Sequence, residues 1–416
     1  MSEALFVFQG GGPMAVTNAT LAGVLESAHG RFSRVLGLRH SLETIDRSRP
    51  LDLTPLTAPA RSGTRARLAR TPGAILGSSR EKISESRIAA LLDSMRSYGA
   101  RYIIGIGGNG TMAELDQLSE FAEAGSIDLR IVGAPKTVDN DLPGVAFAPG
   151  YGSAARFVAL AVRDFDCDFR AMRTFDDVTI LETMGRDTGW LAAASVLLKE
   201  SPSDAPHIVL MPERPVDEGQ LLERVAQIHG ELGRVIIVTN EMLKASDGSI
   251  LGAAAQDGPT DALGRTMYSL STGTGNYLAG LIRKKLGLQT RCLRPGSLGR
   301  ALSCCVSEID RELALRVGKA ATPALEEDGD RVMMLTVARD LSIHTQPAKS
   351  GVGQAPVPEE FLDPVDRFGI SPEFSQKVHK IIGPVEPIVS DVMGVVGQHR
   401  AADKLNSPIA IGQDAD

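Results

Sequence analysis

Three features of the chain predict an α/β fold of two doubly wound, Rossmann-like domains facing each other across a cleft. Short apolar runs alternate with amphipathic helical stretches along most of the sequence, the pattern of parallel strands joined by helical crossovers. Several of those runs end in glycine-rich turns, the places where open parallel sheets bind ligands. At 416 residues the chain is also longer than one hydrophobic core usually supports.

Taken in order, the first apolar run, 5–8, is followed by Gln9-Gly10-Gly11-Gly12-Pro13 and a helical pattern over 15–28. Bare backbone at such a turn, with the positive end of a helix behind it, is a phosphate cradle. Residues 41–71 break the alternation with Pro, Arg and Thr, show no helical period, and read as an excursion beside the first domain. An apolar run at 74–76 leads to Gly77-Ser78-Ser79-Arg80, a turn ending in a guanidinium. A helix over 87–98 and a strand over 102–106 then lead to Gly107-Gly108-Asn109-Gly110-Thr111, a second cradle that opens a helix over 111–124. It fits neither the G-x-x-x-x-G-K-[ST] loop nor the dinucleotide fingerprint. Anion-friendly turns on consecutive strands suit a polyphosphate.

The strand at 129–132 is followed by Ala134-Pro135-Lys136-Thr137-Val138-Asp139-Asn140-Asp141-Leu142-Pro143-Gly144. A cation, a hydroxyl and two carboxylates behind a buried strand are the equipment of phosphoryl transfer. Asp139 and Asp141 are separated by one residue, so in an extended stretch they point the same way, one able to take a proton and the other to hold a metal ion. A helix over 152–165 and strands at 178–181, 207–211 and 235–238 build the second half. After the first of these strands, Met184-Gly185-Arg186-Asp187-Thr188-Gly189-Trp190 supplies Arg186 to neutralise phosphoryl charge, while Trp190 reads as a core anchor. Arg291, Arg294 and Arg300 flank Pro295-Gly296-Ser297 and suit a pocket for a substrate phosphate. The expected boundaries are a first domain at 1–150, rejoined by part of 299–340, a second domain at 151–298, and a Pro-rich extension at 341–416 packing on the second domain.

Composition narrows the function. A formal charge of −7 argues against nucleic acid as a partner. Cys167, Cys292, Cys304 and Cys305 have no zinc or disulfide spacing and read as reduced core residues. The first residues lack the basic start and apolar length of a signal peptide, and no stretch nears 18 apolar residues, so a cytoplasmic location without a membrane is expected.

Together these segments resemble the phosphofructokinase family over nearly the whole chain, most strongly through 135–141 read beside 107–111 and 184–186. The turn at 150–155 and the tail Val357-Pro358-Glu359-Glu360-Phe361 look like its longer branch, which includes pyrophosphate-dependent members. The resemblance implies an active site in the cleft and transfer of a phosphoryl group to the 1-hydroxyl of fructose 6-phosphate, with the first domain binding the donor and the second the sugar phosphate. By it, Asp139 is the base, Thr137 contacts the transferring phosphate, Lys136 belongs to the same catalytic group, and Arg186 stabilises transition-state charge. Gly12, Arg80, Gly108, Asn109, Gly110 and Thr111 hold the donor, and Asp141 with Asn109 binds Mg2+. Met184, Gly185, Glu241, Arg291 and Arg300 hold the sugar phosphate. Gly110 matches ATP users and Lys136 matches pyrophosphate users, and the combination is read toward ATP, with pyrophosphate as the alternative. Asp177 stands where a cross-subunit arginine is expected and Asn240 aligns with a sugar-contacting glutamate that a one-residue shift restores as Glu241, so another acceptor such as sedoheptulose 7-phosphate stays open. A catalytically silent regulatory paralogue is the non-enzyme alternative. A homodimer or homotetramer is implied because sites in this family are completed across subunits.

Overall fold

Strand β1 (Ala4–Gln9) is buried at all six residues, as a strand covered on both faces must be. It lies in a sheet with β2 (Arg34–Gly37), β3 (Leu51–Asp52), β4 (Ala100–Gly107), β5 (Arg130–Pro135), β10 (Val332–Val337) and β11 (Ile343–Pro347). Their order is β11-β10-β5-β4-β1-β2-β3, parallel through the middle, with β3 and β11 antiparallel at the edges. A second, all-parallel sheet has the order β7-β8-β6-β9, from β6 (Val178–Thr183), β7 (Ile208–Leu210), β8 (Val235–Asn240) and β9 (Thr290–Leu293). The computed structural model describes residues 3–79, 81, 83–172, 176–252, 273–327 and 330–389. Met1–Gly383 form one compact unit containing both sheets, and of the second unit, Pro384–Asp416, only 384–389 are described, mostly exposed.

The alternation of strand and helix is as the sequence predicts, with helices Thr17–Ser27, Glu85–Ser97, Asn109–Ala124 and Tyr151–Ala171 near the expected positions. The run at 74–76 is a turn rather than a strand. Its backbone is satisfied by buried side chains: Ile75 N donates to Asn18 Oδ1 at 2.9 Å and Leu76 N to Gln9 Oε1 at 3.1 Å. The excursion at 41–71 contains a helix, Ser62–Arg70, whose buried residues are Arg65 and Ala69. Arg65 caps the carbonyls of Leu56, Thr57 and Ala58, so a buried guanidinium occupies the place an apolar residue would mark in the sequence.

In the first sheet β10 pairs with β5 in parallel. The tail begins there too, since β11 pairs with β10, before Phe361 and Phe374 pack on Trp190 at centroid distances of 6.0 and 6.4 Å. Trp190 is a core residue, as expected. The four cysteines are free, but none is fully buried and Cys304 is exposed. Among the described residues, no helix is long and apolar enough to cross a membrane.

Candidate active site

In the first sheet the chain runs from β1 outward to β2 and comes back on the other side through β4, so the order reverses between β1 and β4. Ligands bind at such a switch point, beyond the carboxyl ends of the strands. Both ends are glycine for a steric reason. A Cβ on Gly10 would lie 2.2 Å from Thr111 Oγ1, and one on Gly107 would lie 2.0 Å from the same atom. Only bare backbone lets the two turns close on Thr111. Beyond them, Gly12 and the first turn of the helix, Gly108, Asn109, Gly110 and Thr111, line one side of a cavity of about 590 Å³. An anion there meets unpaired helix N–H groups and the positive end of the helix.

The loop after β5 forms the cavity floor with Lys136, Thr137, Asp139 and Asp141. Lys136 is 2% exposed and its Nζ donates to Gly12 O at 2.9 Å, joining this loop to the first cradle. Asp139 N donates to Thr137 Oγ1 at 3.1 Å. The stretch is not extended, contrary to the sequence expectation. Asn140 has φ 52°, in the left-handed region that Asn tolerates. Its side chain holds that turn, accepting from Ala148 N at 2.8 Å and donating to Ala146 O at 3.0 Å. Both flanking carboxylates therefore reach the cavity through a buried asparagine, not through strand alternation.

Asn109 Nδ2 donates to Asp141 Oδ2 at 2.7 Å, which leaves Asn109 Oδ1 buried without a hydrogen-bond partner. Thr137 Oγ1 lies 3.5 Å from Asp141 Oδ1. An orphan amide oxygen beside a carboxylate is a fitting start for Mg2+, which takes one or two protein oxygens and completes its shell with water and phosphate. Among the described residues no group of three His, Cys, Asp or Glu could hold a metal alone, so such an ion would share its shell with the donor.

The second sheet supplies the opposite wall from the ends of β6, β8 and β9. Met184 and Arg186 follow β6 and line the cavity, with Gly185 between them at φ 132°. A Cβ on Gly185 would come within 2.6 Å of Thr188 O, so the turn requires glycine. Arg186 is itself left-handed at φ 48°, and its N–H donates to Glu241 Oε1 at 3.2 Å. Glu241, after β8, lines the cavity. Asn240 does not, because its side chain donates to Thr188 O at 2.8 Å and accepts from Met242 N at 2.7 Å. After β9, Gly296, Ser297 and Arg300 complete the wall.

Burial pushes the Glu241 carboxyl up to about 7, with the Asp139 charge adding to the effect and Arg186 opposing it. Folding thus favours the protonated form; that contribution is full below the ordinary glutamate value of 4.5 and is lost as pH rises through about 7. Glu241→Gln, neutral throughout, is expected to lose less melting temperature than the wild type between about pH 5 and about pH 8. Thermal melts at both pH values check this, and equal losses would remove Glu241 as the titrating group.

Not every expected residue meets here. Arg291 lies on edge strand β9, is 45% exposed and pairs with Asp176 at 2.9 Å, outside the cavity lining. Asp177 sits at the start of β6, the end away from Met184, accepting from Gln289 N at 2.7 Å and lying 3.2 Å from His229 Nε2. Arg80 lies outside the described residues. Conversely, Ser79, Ile83, Glu114 and Gln117 line the cavity without having been singled out. Glu114, pushed up to about 7 by burial, carried one available signal, its place on the helix that opens at the second cradle.

The family model for phosphofructokinase matches residues 4–325. The chain is 36% identical over 323 residues to the pyrophosphate–fructose 6-phosphate 1-phosphotransferase of Xanthomonas campestris pv. campestris, across 76% of this chain and 75% of that protein. It is 32% identical over 347 residues to the sulfofructose kinase of Alkalicoccus urumqiensis, across 80% of this chain and 82% of that one. A crystal structure of a pyrophosphate-dependent phosphofructokinase from Marinobacter aquaeolei is similar with a TM-score of 0.77 at 26% identity, covering 94% of this chain and 96% of that chain.

Proposed function

The chain belongs to the phosphofructokinase family of phosphotransferases, and from that premise we propose that it transfers a phosphoryl group from pyrophosphate to the 1-hydroxyl of fructose 6-phosphate. The observation that carries this reading is the convergence of Lys136 and Asp139 from the first sheet with Arg186 from the second on one cavity. In the proposed reaction Asp139 takes the proton of the sugar hydroxyl as its oxygen attacks the terminal phosphorus. The bond to the bridging oxygen breaks and orthophosphate leaves. Lys136, Thr137 and Arg186 stabilise charge on the moving phosphoryl group, so catalysis is mainly positioning and electrostatics. Gly12, Gly108, Gly110 and Thr111 cradle the donor, while Met184, Glu241 and Arg300 orient the sugar phosphate. Mg2+, held by Asp141 and Asn109 Oδ1, would neutralise donor charge.

Pyrophosphate replaces the ATP reading of the sequence. That reading rested on the combination of Gly110 with Lys136; Gly110 leaves room for a nucleotide, but room supplies no affinity. Lys136 is a positive determinant: a nearly buried cation fixed between the two cradles. The pyrophosphate-dependent relatives support the same choice.

A second acceptor reading, a sugar bearing a different terminal group, is favoured by the pairing of Arg291 with Asp176 and by the sulfofructose kinase likeness. Arg291 contributes to acceptor binding in this proposal only by serving a neighbouring subunit, in a homodimer or homotetramer in the cytoplasm. The test is one screen of the purified protein with Mg2+, crossing pyrophosphate and ATP with fructose 6-phosphate, sedoheptulose 7-phosphate and sulfofructose. Pyrophosphate with fructose 6-phosphate is expected to give the highest kcat/KM. Turnover with ATP alone overturns the donor, preference for another sugar overturns the acceptor, and no turnover at all favours the silent paralogue.

A further inference from the structure

The catalytic groups come from two different sheets, so something must fix the loop after β5 relative to the turn after β6. A direct bond contributes: Thr188 Oγ1 donates to Asp139 O at 3.3 Å. Further bonds run through the tail. Ala355 N donates to Asp141 O at 2.7 Å, and Ala355 O accepts from Trp190 Nε1 at 3.2 Å. A single peptide residue thus bonds to the metal-side loop and to the residue that ends the Arg186 turn. Alongside it, Gln354 Nε2 donates to Asp187 Oδ2 at 3.3 Å. Val357 N donates at 2.9 Å to Glu213 Oε1, the same oxygen that accepts Gly189 N at 2.9 Å. Glu213 Oε2 is buried and has no hydrogen-bond partner, so the carboxyl's bonds are concentrated on one oxygen shared by tail and turn. Phe361, packed on Trp190, holds the tail where these bonds form.

We propose that residues 354–357, anchored by Glu213, are a strap that sets the spacing between the Asp139–Asp141 loop and the Arg186 turn, which makes Ala355 and Glu213 positioning residues for phosphoryl transfer. The strap's role rests on the phosphoryl-transfer reading of the site but not on which donor is used. Reacting groups must be held within fractions of an ångström, and a misplacement of about 1 Å can lower a rate roughly 100-fold. Because the strap bonds to the backbone of Asp141, its loss is expected to disturb metal and transition state together.

The test compares Ala355→Pro, which removes the N–H that reaches Asp141 O, with Glu213→Ala and Glu213→Gln in the full chain. In the first two, kcat is expected to fall roughly 10- to 100-fold, with the acceptor KM changing far less. The Mn2+ concentration that half-saturates the protein in the presence of pyrophosphate, read by electron paramagnetic resonance, is expected to rise severalfold. Glu213→Gln keeps an oxygen acceptor and is expected to stay near wild type in both measurements. If Ala355→Pro does not fold, the Glu213 pair decides the matter alone. A Glu213→Gln variant as impaired as Glu213→Ala, or folded variants with unchanged kcat and Mn2+ binding, overturns the strap. Loss of turnover that only tracks loss of folded protein by circular dichroism overturns it as well. A wild type that uses ATP alone refutes the donor reading, and ATP then replaces pyrophosphate in the same comparison. A wild type without turnover refutes the functional reading itself, and the Mn2+ measurement still decides the strap.

Discussion

Asp139→Asn is expected to lower kcat by about two to four orders of magnitude while fold and donor binding stay in place, the usual worth of a positioned base. The substitution conserves size and removes the carboxylate's negative charge together with its ability to accept a proton. The backbone of residue 139 is held by its N–H to Thr137 Oγ1 and its carbonyl from Thr188 Oγ1, bonds that the substitution leaves in place. A second effect follows from the same charge. Asp139 is one cause of the raised Glu241 pKa, so the variant's Glu241 is expected to titrate lower than in the wild type. Steady-state kinetics with a melting curve check the first effect and carboxylate NMR across pH the second. Retention of more than about a tenth of wild-type turnover would show that another group is the base.

The parts of this site legible in sequence are those where chemistry and local structure coincide. A glycine turn behind an apolar run implies bare backbone at a strand end, and Gly10 and Gly107 are placed there because Thr111 leaves no space for a Cβ. Lys136, Asp139 and Asp141 follow a buried strand, and a loop in that position reaches the ligand side of the sheet. What was hidden depends on tertiary partners. The left-handed turn at Asn140 is fixed by Ala146 and Ala148, and the sequence shows only an asparagine between two aspartates. The choice between Asn240 and Glu241 turns on which side chain Thr188 O captures, a contact across 52 positions. Strand β11 escaped notice because the Pro-rich stretch around it carries no alternation, and its pairing with β10 is what orders it. At Ala355 and Val357 the strap bonds through its own backbone groups, which no residue type announces.

The donor assignment predicts that Lys136→Met lowers kcat with pyrophosphate by roughly 10²–10³, the cost of removing one preorganised charge donor aimed at a developing anion, about 2.7–4 kcal/mol. Methionine has similar length and no charge, so it fills the space of a side chain that is 2% exposed without opening a large hole. The ammonium is held in one place by Gly12 O at 2.9 Å, and it lies 3.3 Å from where a Cβ on Gly11 would sit, tight against the first cradle. A planar guanidinium differs from a compact ammonium in reach and donor geometry, so Lys136→Arg is expected to fail as a rescue even though it restores the charge. Gly12 O loses its donor in Lys136→Met, but it borders the cavity and water can replace the lost bond, so stability is expected to change little. The measurements are kcat and KM for pyrophosphate, pyrophosphate binding by calorimetry, and a urea melt of each variant. If folded Lys136→Met kept turnover within about threefold of wild type, the cation would not be acting on the transferred group, and the main structural support for pyrophosphate as donor would be gone.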